Sequence, residues 1–140
     1  MVKKIKKILI VDDEIQIVKA IERHLSRTGF TVGSADTIKE AREKIDKEAR
    51  NHAPFDLLIT DVMMPSGSGI DLSQWLKKSY PDISVLFISG YGVKDLVTDA
   101  VDLTLDDFCQ KPFTPSKLLA TIHCIDQRRQ KRNLVPGKGQ

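Results

Sequence analysis

Short apolar runs alternate along the chain with longer segments whose apolar residues recur every three or four positions. The runs occupy residues 8–11, 55–60 and 83–88, and residues 30–35 and 107–110 form a weaker and a shorter strand pattern. Apolar runs of this length, bounded by polar or turn-forming residues, are typical of strands buried on both faces. The segments that follow them have the periodicity of amphipathic helices. The pattern therefore predicts five strands that alternate with five helices.

Capping and turn residues mark where these helices begin. Asp36 or Thr37 can cap the second helix, and Thr37 is followed three residues later by a glutamate, as in a capping box. Ser66–Gly69 supplies a turn and an N-cap for the third helix. A fourth helix is predicted around Val93–Val101, and the last helix begins near Thr114 or Pro115. Strands and helices in this order predict an α/β fold, a doubly wound parallel sheet with helices on both faces.

Length and composition indicate a single domain. The chain has 140 residues, 41% of them hydrophobic, which is enough for one compact domain with a real core and short for two. We expect this domain to cover residues 1–127. Residues 128–140 are basic and polar, and we expect them to form a disordered tail or linker.

The charge and the cysteines exclude several classes of protein. The basic excess of the chain, whose formal net charge is +3, lies at its two ends without interleaved aromatic residues. Solvated termini explain it better than a nucleic-acid footprint. No apolar run approaches the roughly 18 residues of a membrane helix, and the N-terminus lacks the apolar stretch of a signal peptide. Cys109 and Cys124 lie in predicted core elements without metal-ligand spacing, so we expect buried free thiols in a cytoplasmic protein.

Reactive polar residues stand at or just past the predicted strand ends. They are Asp12, Asp13, Asp61, Ser89 and Lys111. Because parallel strands end at the same edge of a sheet, these side chains should lie close together. Three carboxylates at one edge repel one another and need a cation, and a small number of oxygen ligands suits Mg²⁺. A lysine and a hydroxyl that can bind phosphoryl oxygens complete the description of a phosphoryl-transfer site.

The order of these motifs resembles the receiver domain of bacterial two-component response regulators. The resemblance spans roughly residues 5 to 126, and the motifs are Asp12-Asp13, Asp61 with Pro65 four residues on, Ser89-Gly90 and Lys111-Pro112-Phe113. An acid pair alone is a weak signal, but all the motifs in this order on the expected strand ends are a strong one. The resemblance implies the flavodoxin-like strand order 2-1-3-4-5.

Carried over by position, the resemblance assigns the centre of the site. It implies that Asp61 accepts a phosphoryl group. Asp12 and Asp13 would hold Mg²⁺ together with Asp61 and the backbone carbonyl of Met63. Lys111 would pair with the acceptor and then with its phosphate.

The same resemblance implies a conformational switch. Ser89 would move to hydrogen-bond a phosphoryl oxygen, and Phe108 matches the aromatic residue whose rotamer follows that movement. The Lys111–Pro112 bond is expected to be cis, as is usual in the family. The added charge of about −1.5 to −2 would reshape the face made by the fourth helix, fifth strand and fifth helix.

The resemblance also implies partners. A sensor histidine kinase or a histidine phosphotransfer protein would supply the phosphoryl group, and a downstream protein or output domain would read the altered face. A phosphorylation-dependent dimer is compatible with this scheme. The chain would be a phosphoacceptor and not an enzyme, with at most slow self-phosphorylation from small donors and slow self-dephosphorylation.

Three other functions fit the sequence less well. A haloacid-dehalogenase-like phosphatase needs an acid two residues after its nucleophile, where this chain has Met63. A flavodoxin-like FMN protein needs a phosphate-binding first loop, and the acids of residues 12–14 would repel the phosphate. A scaffold without a switch would have no need of the full residue set.

Two local features add expectations about the site and its output face. Thr104-Leu105 replaces the usual Gly-Ala of the family, so we expect the fourth helix to end irregularly or to be followed by a longer loop. The bulky Met63 and Tyr91 are expected to crowd the attacking water and slow loss of the phosphoryl group.

Overall fold

The structure, a computed structural model, describes residues 3–90 and 107–134. Its strands are β1 (Lys7–Val11), β2 (Thr31–Ala35), β3 (Leu57–Asp61), β4 (Ser84–Ser89) and β5 (Asp107–Gln110). Its helices are α1 (Ile15–Arg27), α2 (Ile38–Arg50), α3 (Gly69–Ser79) and a C-terminal helix (Pro115–Leu134). The predicted fourth helix, Tyr91 and Thr104-Leu105 lie outside the described residues.

The five strands form one parallel sheet in the order β2-β1-β3-β4-β5. This order and the α/β architecture confirm the predicted fold. The register places Val11 beside Thr60, Asp61 beside Ile88 and Ser89 beside Gln110. The strands therefore end together, and the loops that follow them share one edge of the sheet.

Alternation along each strand sends side chains to two cores, one on each face of the sheet. Leu9 and Val11 face one core with the buried residues of α2 and α3, whereas Ile8 and Ile10 face the other with those of α1 and the C-terminal helix. Both faces are covered, which explains why the strands read as continuous apolar runs.

The predicted caps are present. The Thr37 side chain accepts a hydrogen bond from the backbone N–H of Glu40 at 3.1 Å, and Ser68 accepts from Ile70 N–H at 3.1 Å. An antiparallel ribbon that sequence reasoning did not predict pairs Met63–Met64 with Gly67–Ser68 directly after Asp61. The ribbon and the Ser68 cap shape the loop behind the acceptor and start α3.

The expectation of a disordered tail from residue 128 is wrong for residues 128–134, because the C-terminal helix continues through Leu134. Arg129 is only 1% exposed. Its guanidinium donates to the carbonyl oxygens of Lys3 (2.9 Å from Nε), Asp56 (3.3 Å) and Asp82 (2.8 Å) and to Ser84 Oγ (2.7 Å). These acceptors lie at the amino edge of the sheet. Arg129, which the sequence places in a solvated basic tail, is therefore a buried residue that links several segments of the fold.

The cysteines differ from expectation in one respect. Both are free, and Cys109 is buried, but Cys124 is exposed on the C-terminal helix. Among the described residues, no helix combines the length and the apolarity that a membrane span requires.

Candidate functional site

The carboxyl edge of the sheet brings most of the predicted site residues together. Asp61 is the last residue of β3, Asp12 follows β1, and Lys111 follows β5. The Asp12 residue is fully buried and Asp61 is 8% exposed. The site, which we call the acidic pocket, therefore lies at the carboxyl ends of the central strands.

Three carboxylates converge in this pocket. One oxygen from each of Asp12, Asp13 and Asp61 lies within 4.8 Å of the others. Asp61 Oδ1 accepts from the backbone N–H of Met63 at 3.3 Å, and Asp12 Oδ1 accepts from that of Glu14 at 3.0 Å. Oxygen donors of this kind and number fit Mg²⁺, which binds one or two carboxylates and keeps several waters. The side chains present thus fit the cation that the sequence predicted.

Lys111 joins the acids through its ammonium group. Its Nζ lies 3.1 Å from Asp12 Oδ2, 3.1 Å from Asp61 Oδ2 and 3.0 Å from Glu14 Oε1. Burial works to lower the pKa of Lys111, but the hydrogen bonds to Glu14, Asp12 and Asp61 outweigh it and raise the pKa above its ordinary value. The lysine is therefore a permanent positive charge beside Asp61.

The surroundings of the buried Asp12 carboxyl disfavour its charged form, whereas those of Lys111 favour the charged ammonium. Burial raises its pKa above the ordinary value, and the Glu14 N–H and the Lys111 ammonium offset only part of that effect. A bound cation would remove the remaining cost of ionising it, because an opposite charge favours the carboxylate form. The protein thus holds a carboxylate in a setting that favours metal.

Ser89 and Phe108 occupy different depths beside this pocket. Ser89 is the last residue of β4 and 5% exposed, and its carbonyl oxygen accepts from Lys111 N–H at 2.7 Å. Phe108 lies beside Phe87 in the register and is partly buried against the core on the α2 and α3 face. The Lys111–Pro112 peptide bond is cis. The structure thus brings Ser89 to the edge that carries Asp61 and sets Phe108 farther down the strand.

Sequence reasoning missed two residues of the site. The sequence shows Glu14 only as one of the acids of residues 12–14 that would repel a phosphate, and nothing in its position predicts a contact with Lys111. Gly69 was assigned to a turn, but its N–H donates to Val62 O at 2.7 Å, and a Cβ there would lie 2.0 Å from Asp61 O. Only glycine lets α3 begin this close to the acceptor.

Known proteins match the whole described sheet. The profile of the response regulator receiver domain family matches residues 8–123. Response regulator protein PilR of Pseudomonas aeruginosa is 39% identical over 113 residues, 81% of this chain and 24% of that protein. Regulatory protein VanR of Enterococcus faecium is 38% identical over 130 residues, 89% of this chain and 52% of that protein. The chain thus spans about a quarter to half of the length of these relatives.

Solved structures give the same result. A CheY-like receiver domain protein from Methanospirillum hungatei has a TM-score of 0.77 at 27% identity, covering 91% of this chain and 98% of its own. The beryllofluoride-activated NtrC4 receiver domain dimer has a TM-score of 0.75 at 30% identity, covering 89% of this chain and 99% of its own.

The fold and the acidic, lysine-bearing pocket define a CheY-like α/β signalling domain. The chain belongs to the response regulator receiver domain family of two-component signalling. Members of this family are generally phosphorylated on aspartate, act as phosphoacceptors and not as catalytic enzymes, and bind Mg²⁺ at an acidic pocket. They pair with histidine kinases and output domains.

Proposed function

We propose that this chain is a phosphorylation-activated switch in which Asp61 accepts a phosphoryl group from a histidine kinase or a histidine phosphotransfer protein. The observation that carries the proposal is the Lys111 ammonium, which lies 3.1 Å from both Asp61 and Asp12 within the acidic cluster. A carboxylate nucleophile, a fixed cation and a set of metal ligands are the parts that phosphoryl transfer needs.

In the proposed reaction, an Asp61 oxygen attacks the phosphorus of a phosphohistidine as the nitrogen–phosphorus bond breaks. The leaving imidazole nitrogen takes up a proton. Lys111 places positive charge where phosphoryl oxygens arrive, and the Ser89 hydroxyl donates to one of them. Asp12, Asp13 and Asp61, with the Met63 carbonyl, would hold Mg²⁺, which would neutralise charge on the transferring group. The Met63 side chain, 64% exposed beside this loop, would shield the product from water.

The proposed switch starts at Ser89. Movement of its hydroxyl toward the phosphoryl group would draw the following loop inward, and Phe108 would change rotamer as space opens. The face affected consists of the predicted fourth helix, β5 and the C-terminal helix. An output domain, a separate protein or a second copy would read it. The activated NtrC4 receiver domain is a dimer, which supports the last of these.

An apolar groove supports a protein phosphodonor. It has a volume of about 540 Å³ and opens beside Lys111 between α1 and the start of the C-terminal helix. Ile17, Ala20 and Ile21 line one wall, and Phe113 and Leu118 line the other. An amphipathic helix of a kinase or phosphotransfer protein would place its apolar side here and its phosphohistidine over the pocket.

The domain boundary in this proposal differs from the one expected at residue 127. Because Arg129 is a buried part of the fold, the receiver domain would extend through it, and a linker would begin after Leu134. The relatives, of which this chain spans 24% to 52%, support an output domain beyond such a linker. The proposed cytoplasmic location rests on the family alone.

Phosphoryl labelling with acetyl phosphate and Mg²⁺ tests the acceptor. Intact mass spectrometry should show one added phosphoryl group on the wild type, and none on Asp61→Asn or when EDTA is present. Asp71→Asn is the matched control, since Asp71 lies in the first turn of α3 outside the acidic cluster. Labelling that persists in Asp61→Asn would refute the assignment. Steady turnover of a generic phosphate ester would favour a phosphatase instead.

A comparison of untreated and beryllofluoride-treated protein tests the switch. Light scattering would detect a new dimer, and hydrogen exchange would detect altered protection of β5 and the C-terminal helix. If neither dimerisation nor protection changes while beryllofluoride is bound at Asp61, the proposed output face is wrong.

A further inference from the structure

Glu14 makes a contact that the proposed reaction does not use. Its Oε1 lies 3.0 Å from Lys111 Nζ, as close as the two aspartates of the pocket. Its side chain is 57% exposed, whereas those of Asp12 and Asp61 are 0% and 12% exposed. One lysine thus has two enclosed partners and one that is open to water.

The number of donors on Lys111 makes this contact matter. An ammonium group has three N–H donors, and the three carboxylates take all of them. A phosphoryl oxygen that binds Lys111 must therefore displace one carboxylate. The partner released most easily is Glu14, because its carboxylate is already hydrated and exposed ion pairs contribute only about 0–1 kcal/mol.

We infer that Glu14 is a positioning residue that competes with the phosphoryl group for Lys111 and so weakens the affinity of the site for phosphoryl donors. The inference rests on the proposed function of Asp61. Two effects act in the same direction. Glu14 occupies an N–H group of Lys111 that the phosphoryl group needs. Its negative charge also repels an anionic phosphoryl donor that approaches the Lys111 ammonium.

The alternative is a simple tether, in which Glu14 holds Lys111 in place for the reaction. The two roles predict opposite signs. Removing a tether loosens Lys111 and weakens phosphoryl binding, whereas removing a competitor strengthens it. The solvent exposure of Glu14 and the two enclosed aspartates that also hold Lys111 favour the competitor.

Titration with beryllofluoride and Mg²⁺ measures the affinity of Asp61 for a phosphoryl mimic. Glu14→Gln keeps the size of the side chain and removes its charge, and it should bind beryllofluoride about two- to fivefold more tightly than the wild type. Asp36→Asn is the matched control, because Asp36 is an exposed acid just past β2 at the same edge of the sheet. It should change the affinity less than Glu14→Gln does.

Acetyl phosphate kinetics separate binding from chemistry. For Glu14→Gln, the donor concentration at half-maximal rate should fall by a similar factor, while the rate at saturation stays near that of the wild type. In a Lys111→Met background, Glu14→Gln should have no more effect than Asp36→Asn, because the shared partner is gone.

A metal-free readout tests the contact itself. The NMR shift of the Lys111 ε-carbon should change in Glu14→Gln and stay unchanged in Asp36→Asn. If the wild type binds beryllofluoride at Asp61 but Glu14→Gln binds it equally or less tightly, the inference is overturned and the proposed function stands. If the wild type does not bind it, both fall.

Discussion

At the scale of single residues, burial of Asp12 makes the ionised form of its carboxyl unfavourable in the metal-free protein. Burial raises the pKa of its carboxyl, so the folded protein holds the Asp12 proton more tightly than the unfolded chain does. The protonated Asp12 carboxyl therefore contributes to stability below the ordinary pKa of aspartate in the unfolded chain. This stability is lost as the pH rises through the raised pKa of the folded protein. At neutral pH the metal-free protein therefore carries an ionised group that its surroundings disfavour.

Asp12→Asn should increase the free energy of unfolding of the metal-free protein at about pH 7, since it removes this ionisation cost. The gain should shrink toward about pH 4, where less of the wild-type carboxyl is ionised. Urea unfolding at both pH values measures the effect, with Asp36→Asn as the control for net charge. Stabilisation by added Mg²⁺ should be weaker in Asp12→Asn than in the wild type. A loss of stability of Asp12→Asn at neutral pH would show that the ionised Asp12 does not destabilise the metal-free protein.

Gly69 is a second residue whose side chain is dictated by its neighbours. A Cβ at this position would meet the Asp61 carbonyl oxygen at 2.0 Å, so Gly69→Ala should destabilise the fold by about 1–3 kcal/mol and slow phosphorylation of Asp61. Gly33→Ala is the control, because its Cβ would come no closer than 3.4 Å to Phe55. Equal stability and equal labelling rates of the two variants would show that the loop tolerates a side chain.

At the scale of elements, the C-terminal helix does more than cover the sheet. Its Arg129 reaches carbonyl oxygens of the N-terminal segment and of the loops before β3 and β4. Its Asp126 accepts from Ile5 N–H at 3.0 Å. The helix thus ties the segment ahead of β1 to the amino edge of the sheet, opposite the acidic pocket.

Arg129→Met keeps most of the apolar stem and removes the guanidinium. It should lower the free energy of unfolding by at least about 2 kcal/mol, because several buried acceptors lose their donor. Arg128→Met is the matched control on the same helix. It removes a partly exposed ion pair between Arg128 and Asp107, which contributes only about 0–1 kcal/mol. Urea denaturation compares the two. Similar losses in both variants would mean that the Arg129 hydrogen bonds add little.

At the scale of the whole molecule, periodicity predicted most of the fold because each element has a local cause. Continuous apolar runs indicated strands buried on both faces, and the position of Asp61 at the end of one run predicted its place at the edge. Arg129 could not be predicted in this way, because its acceptors come from three distant segments. The contact of Glu14 with Lys111 could not be predicted either, since it depends on how far the Lys111 side chain reaches.

Chemical trapping locates the phosphoacceptor, which we propose to be Asp61. Borohydride reduces an aspartyl phosphate to homoserine, so peptide mass spectrometry after labelling and reduction locates the acceptor. We expect homoserine at position 61 in the wild type, dependent on Mg²⁺. Homoserine at another aspartate of the wild type, or none at position 61 in protein that has gained a phosphoryl group, would show that Asp61 is not the acceptor.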